Sequence, residues 1–338
     1  MTCSAGFAQS APLPPGTSLD APSKDSGPLA KAEDAIASKD FDQAKNLLDP
    51  YLSAHPSDAR ALFDRGFIED SQERDDLAAG YYEKAIAADP KQFESRLALG
   101  LILARQGKPQ EAREQLKAAT QLGPNPPNPA AKAQAFRALA QLDRNSDPDA
   151  AKQALIQALQ ISPETPDDIL LTGEIAEAEG DMASAETAYR RALQKQPESS
   201  AAAAGLAHVL IAQKKYPDAE PLIKAALSRD PDDPALNTQL ALVLNAEGKQ
   251  DEAVGVLEKL HQLKPDDASI SKMLADAYAQ GGQADKADLL YTQLLKASPD
   301  DPALLAAHGD SLVRQQKYAE ALAVLQRAVQ LRPDDGNA

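Results

Sequence analysis

Between residues 25 and 335 the hydrophobic positions advance in steps of three and four. In 166–199, Ile169, Gly173 and Ala176 form one set and Ala185, Tyr189 and Ala192 a second, and that spacing puts each set on one side of an α-helix. Gly180-Asp181 separates the two sets and Pro197 closes the second; Gly107-Lys108, Gly248-Lys249 and Gly281-Gly282 separate equivalent pairs elsewhere. Proline inside a helix removes a hydrogen bond, so each stretch reads as two helices joined by a short turn and ended by a proline. Each helix has about 13 residues and a length of about 20 Å.

The pairs recur every 34 residues. Pro56, Pro90, Pro124, Pro163, Pro197, Pro231, Pro265, Pro299 and Pro333 hold the thirty-second place of the unit, and Ala44, Ala78, Ala112, Ala151, Ala185, Ala219, Ala253, Ala287 and Ala321 the twentieth. The eighth place is small in every unit except 132–165, where Leu139 stands. A Gly or Ala there lets the first helix approach the alanine of the second, and added bulk costs about 1–3 kcal/mol. The chain therefore divides into a leader (1–24), three units (25–126), a Pro-rich insertion (127–131), six units (132–335) and a short tail (336–338). The acidic pairs after the prolines, as in "PDDPAL", fall in the turns between units, where Asp can cap the next helix.

A 34-residue two-helix unit with a small eighth residue, alanine twentieth, a Tyr or large aliphatic residue twenty-fourth and proline thirty-second resembles the tetratricopeptide repeat. Unit 59–92 carries the pattern as Leu62, Gly66, Ala78, Tyr82, Ala85 and Pro90. The resemblance implies an all-α fold, a right-handed superhelical α-solenoid whose first helices line a concave groove and whose stability is a sum of neighbour contacts. Two units depart from the pattern. In 132–165 a one-residue shift makes Ala140 the small residue, with a shorter turn between its helices, and in the first unit Pro50 is expected to end or kink the second helix.

The resemblance further implies that unit positions 2, 5, 9, 12 and 13 face the groove. Positions 5 and 9 hold Phe63 and Phe67, Leu97 and Leu101, Leu170 and Glu174, Ala204 and His208, Thr238 and Leu242, Lys272 and Asp276, then Ala306 and Asp310. Phe63, Phe67, Leu97 and Leu101, flanked by Arg60, Glu94 and Arg105, read as an exposed apolar strip for a partner's side chains; Leu170, Glu174 and His208 continue the candidate groove. The alternative is that the strip packs against the preceding unit or the leader. The Lys, Asn and Arg clamp with which some members of the family hold a carboxy-terminal peptide is not matched: Lys272, Asn245 and Arg314 are present, but Asp276 and Asp310 stand where it needs Asn or a cation.

Composition narrows the function. The formal net charge is −16, which disfavours nucleic acid and anionic membranes, and no apolar run reaches the roughly 20 residues of a membrane span. The four histidines, His55, His208, His261 and His308, fall at unrelated positions with no recurring acid or thiol partner, the one cysteine is Cys3, and no phosphate-loop, zinc-protease or nucleophile-elbow motif occurs. The expectation is a non-enzymatic scaffold, without cofactor or metal, that holds a protein or peptide segment. Pro12, Pro14, Pro15 and Pro22 among Ser, Gly and Ala mark the leader as aperiodic, and Gly6-Phe7-Ala8 before Gln9 looks like the end of a secretion signal. An exported or periplasmic location in a bacterial envelope assembly or export complex is therefore expected, with the cytoplasm as the alternative. A second reading is an arm of a larger protein whose catalytic or membrane part lies elsewhere. Leu322, Leu325 and Val329 on the last helix suggest a partner there, a second copy included.

Overall fold

The computed structural model describes residues 27–124 and 127–332, and among them it contains eighteen α-helices and no strand. The helices pair in order: α1 (Pro28–Ala37) with α2 (Phe41–Ala54), α3 (Ala59–Ser71) with α4 (Asp75–Ala88), α5 (Phe93–Arg105) with α6 (Pro109–Gln121) and α7 (Pro129–Asp143) with α8 (Pro148–Ile161); α9 (Pro166–Ala178) and α10 (Met182–Lys195) follow in the chain. The series continues with α11 (Ser200–Ala212), α12 (Tyr216–Leu227), α13 (Pro234–Ala246), α14 (Gln250–Leu263), α15 (Ala268–Gln280), α16 (Ala284–Ala297), α17 (Pro302–Arg314) and α18 (Tyr318–Leu331). Two compact bodies result, one up to Asp181 and one from Met182. The leader and the residues after Arg332 lie outside the described residues.

Within each body the core passes from one helix to the next. In the first, Phe67 and Ile68 of α3 pack on Ala32, Ile36 and Leu48 of α1 and α2; Phe63 joins Tyr82 of α4 and Leu99, Ile102 and Leu103 of α5; Leu97 and Leu101 meet Ala131, Ala135 and Ala138 of α7. In the second, Ala241, Leu257, Leu274, Leu290 and Tyr291 link α13 to α16. Among the described residues the contacts run between helices one or two apart along the chain, which is how a repeat stack is stabilised.

The local reasons for the helix pairs are visible at their ends. A left-handed residue recurs in the turn within a unit: Lys39, Glu73, Gly107, Gly180, Lys214, Gly248, Gly282 and Gln316 all have φ between 58° and 79°. Four of these are not glycine, so the turn, not the residue type, dictates the conformation. At the turns between units, Asp58, Asp233, Asp267 and Asp301 accept hydrogen bonds from the first backbone N–H groups of α3, α13, α15 and α17, the capping role expected of the acidic turns. Thr165 and Asp168 form a reciprocal capping box at α9.

Three of the eighth-place glycines, Gly66, Gly100 and Gly309, face the twenty-fourth residue of the same unit. A Cβ on Gly66 would lie 2.8 Å from Tyr82, on Gly100 2.7 Å from Leu116 and on Gly309 2.4 Å from Leu325. Gly205, which no repeat position singled out, is equally constrained, because a Cβ there would meet the Tyr189 ring at 2.5 Å.

Both irregular units differ from expectation. Ala140 is buried against Ala151 and Leu155, as the shifted register requires, but four residues separate α7 from α8 where other units have three. The turn lacks a left-handed residue and is closed by Ser146 and Asp147 N–H groups donating to Asp143 O, with Arg113 donating to the Asp143 carboxylate at 2.6 Å. The expected insertion is also partly helical, since α7 already starts at Pro129. In the first unit, Pro50 neither ends α2 nor shortens it: the helix runs on to Ala54, with Pro50 on its exposed side.

Candidate partner-binding face

In the first body the residues expected to form an open apolar strip are sealed. Phe63, Phe67, Leu97 and Leu101 are 6, 8, 3 and 3% exposed, each packed against a neighbouring helix. The physical reason is size matching. Long apolar side chains at positions 5 and 9 reach the next first helix, and the alanines of α1 and α7 leave room for them. The polar residues around them pair internally. Arg60 donates to Glu33 at 2.6 Å, Arg105 to Asp70 at 2.7 Å and Asp75 at 2.9 Å, and Glu174 meets Arg144 at 3.2 Å. Burial raises the pKa of Glu94 and Glu174, in the second case against the pull of Arg144. Leu170 is half-buried. This face has already spent its apolar surface on the neighbouring helices.

In the second body the same positions are more exposed. His208 on α11 and Asp310 on α17 are exposed, Leu242 on α13 is 45% exposed, and Ala204, Thr238, Lys272, Asp276 and Ala306 are half-buried. Alanine, threonine and charged residues are too short or too polar to close the seam between first helices. The face also carries ordered charge. Lys272 Nζ donates to Asp276 Oδ2 at 2.7 Å, and the hydroxyl of Tyr291, whose pKa rises through burial and that hydrogen bond, donates to Asp276 Oδ1. Asp310 and Arg314, one turn apart on α17, are both exposed, and the Tyr291 hydroxyl feels the charge of each. Leu242, Asp310 and Arg314 thus offer one apolar and two opposite charged contacts on one body.

The joints behind this face are tied by a repeated pair. Lys215, Lys249 and Lys317, at position 16, reach Glu186, Glu220 and Asp288, at position 21 of the preceding unit, over 3.1, 2.7 and 3.0 Å. Glu220 is held at about 2 by hydrogen bonds from Lys224 and Lys249. His308 stacks on Tyr291 with centroids 5.4 Å apart, and burial lowers its pKa against the pull of Asp288. His261 meets the Ser271 hydroxyl at 3.3 Å, and His55 lies 4.6 Å from the Tyr51 ring. No group of three His, Cys, Asp or Glu among the described residues could hold a metal ion, and no helix is long and apolar enough to cross a membrane.

Comparison with known proteins places this geometry. Tetratricopeptide repeat family models match residues 29–93, 97–169, 144–203, 176–242, 244–310 and 303–335. The chain belongs to the tetratricopeptide repeat family. It is 33% identical over 106 residues to small glutamine-rich tetratricopeptide repeat-containing protein 2 of Saccharomyces cerevisiae, a match that takes in 29% of this chain and 31% of that protein. A tetratricopeptide repeat protein from Parabacteroides merdae superposes with a TM-score of 0.55 at 15% identity, over 73% of this chain and 96% of that one. Pseudomonas aeruginosa pilF superposes at 0.52 and 18% identity, over 62% and 94%. Both likenesses establish the solenoid fold. Tetratricopeptide repeat proteins generally mediate protein–protein interaction as non-catalytic scaffolds.

Of the candidate residues, His208 alone lies on the open face of the second body. Thr238, Leu242, Asp276 and Asp310 stand at groove positions 5 and 9, which turn short or polar from α11 onward with Leu242 as the exception, and Arg314 lies one turn beyond Asp310.

Proposed function

We propose that this tetratricopeptide repeat protein is a non-enzymatic scaffold that holds a protein segment along the first helices of its second body, α11, α13, α15 and α17. The observation that carries the reading is the contrast at positions 5 and 9: Phe63, Phe67, Leu97 and Leu101 are buried, whereas His208, Leu242 and Asp310 are exposed. A segment lying there would set an apolar side chain on Leu242 and meet opposite charges at Asp310 and Arg314, so a ligand bearing both a basic and an acidic residue is the expected match. The signal-like Gly6-Phe7-Ala8 supports placing this role in a bacterial envelope complex.

Photocrosslinking tests the face. A photoreactive phenylalanine analogue replaces Leu242 in one version of the protein and Leu289, 60% exposed on α16, in another. Position 242 is expected to trap a protein partner in cells and position 289 not to. Equal trapping, or none at 242, contradicts the assignment.

A second copy is a further partner favoured by one observation. Leu322 and Val329, two turns apart on one side of α18, are 59 and 38% exposed, an apolar stripe suited to self-association. Sedimentation of the wild type against Leu322→Glu separates a dimer from a monomer.

A further inference from the structure

Asp64 sits in the middle of α3 with only 1% of its surface exposed, and its Oδ2 has no hydrogen-bond partner. Every other buried acid in this body has a cation beside it: Glu69 has Arg65, Arg74 and Lys45, Asp70 has Arg105, Asp143 has Arg113 and Asp168 has Arg137. A buried carboxyl group with an unpaired oxygen is tolerated when it is neutral and is disfavoured when charged. The charges facing it oppose one another: Glu33 on α1 and Asp58 before α3 disfavour the charged form, Arg60 on α3 favours it but is shared with Glu33, and on α4 the Tyr82 hydroxyl offers no positive charge.

The seam that hides Asp64 is also the seam that seats the first helix pair. Ala32, Ala35, Ile36, Ala44 and Leu48 of α1 and α2 cover Ala61, Phe67 and Ile68 of α3, a contact made largely of small residues. Around its rim the polar ties are partly buried: Arg60 to Glu33, Arg65 to Asp49 at 2.8 Å, Lys45 to Gln72 at 2.7 Å and to the buried Glu69 at 3.8 Å, and Tyr51 to Asp58 at 2.8 Å. In a repeat stack one joint can open while the others stay closed.

We infer that Asp64 is a proton-dependent latch: protonated, it lets α1 and α2 close over Phe67 and Ile68, and on losing its proton it is hydrated by the parting of α1 and α2 from α3. The sign follows from burial. Desolvation raises the folded-state pKa of Asp64 well above the usual aspartate value, with Glu33 adding to the shift. The closed joint is therefore favoured in full below about pH 4, the unfolded value, and is lost as pH rises through the folded one. The surface uncovered is the apolar patch of α3 around Phe67. The latch thus controls when a partner could reach a face that is otherwise sealed, and it acts on the first body, independently of the open face of α11–α17.

Hydrogen exchange on the full chain between pH 5 and 8 tests this, with rates corrected for the intrinsic pH dependence of exchange. Protection of α1 and α2 amides is expected to fall by up to tenfold per pH unit, the slope of a single proton, while α13 to α16 stays constant. Asp64→Asn keeps the shape and removes the titration, so its profile is expected to be flat. Glu33→Gln removes the neighbouring negative charge, lowers the Asp64 pKa and moves the fall to lower pH without altering Asp64 itself. A flat wild-type profile, an unchanged slope in Asp64→Asn, or no shift in Glu33→Gln would each overturn the latch.

Discussion

Leu101→Ala and Leu242→Ala remove the same atoms from the same position of two repeats, and the two faces predict different losses. Leu101 is 3% exposed and wedged among Leu97, Leu116, Ala135 and Ala138. Its transfer from water is worth about 1.5–3 kcal/mol, and the cavity left between α5 and α7 brings the loss to about 2–5 kcal/mol. Leu242 is 45% exposed, so roughly half of that transfer applies and no closed cavity forms; the loss is about 1 kcal/mol. The difference, about 2 kcal/mol, corresponds to roughly a thirtyfold change in an opening equilibrium. Because a repeat stack does not unfold as one unit, the assay is native-state hydrogen exchange, read at α5 and α7 for one variant and at α13 and α15 for the other. Partner capture should respond in the opposite order, weakened by Leu242→Ala and spared by Leu101→Ala while the second body stays folded. Equal losses of stability, or a larger one at Leu242, would refute the distinction between a sealed and an open face.

Other consequences are as direct. The Glu220 carboxyl should titrate near 2 by NMR, and Lys249→Ala should bring it back toward 4; because the folded value is depressed, the joint it supports between α12 and α14 is favoured above about pH 4 and weakens as the pH falls toward 2. Asp301→Ala removes the acceptor of the Ala303 and Leu304 N–H groups at 2.9 and 3.1 Å and should destabilise α17 by about 1 kcal/mol, read as faster exchange there, with Asp301→Ser close to wild type.

The fold was legible because its determinants repeat. Proline and alanine recur at fixed places, and the glycines at 66, 100 and 309 mark close approaches that the packing against Tyr82, Leu116 and Leu325 explains. The apolar strip of α3 and α5 is packed against neighbouring helices, the alternative the sequence left open, and the reason the sequence could not decide is physical. Hydrophobicity alone does not separate a side chain that waits for a partner from one already covered by its neighbour, and Phe67 is covered by Ala32 and Ile36. Short or polar residues at 204, 208, 238, 272, 276, 306 and 310 are legible in the sequence, but the exposure of Leu242 among them is visible only when the helices are set side by side. The turn of unit 132–165 was similarly hidden, since the counting that places Ala140 correctly says nothing of where α7 ends.

The central claim is that partners meet α11, α13, α15 and α17 and leave the first helices of the first body alone. Hydrogen exchange of the chain with and without a crosslink-identified partner measures this at every helix at once. The account predicts added protection around His208, Leu242 and Asp310 and none around Phe63, Leu97 and Leu101. Protection centred on α3 and α5 with α13 and α17 unchanged would contradict it.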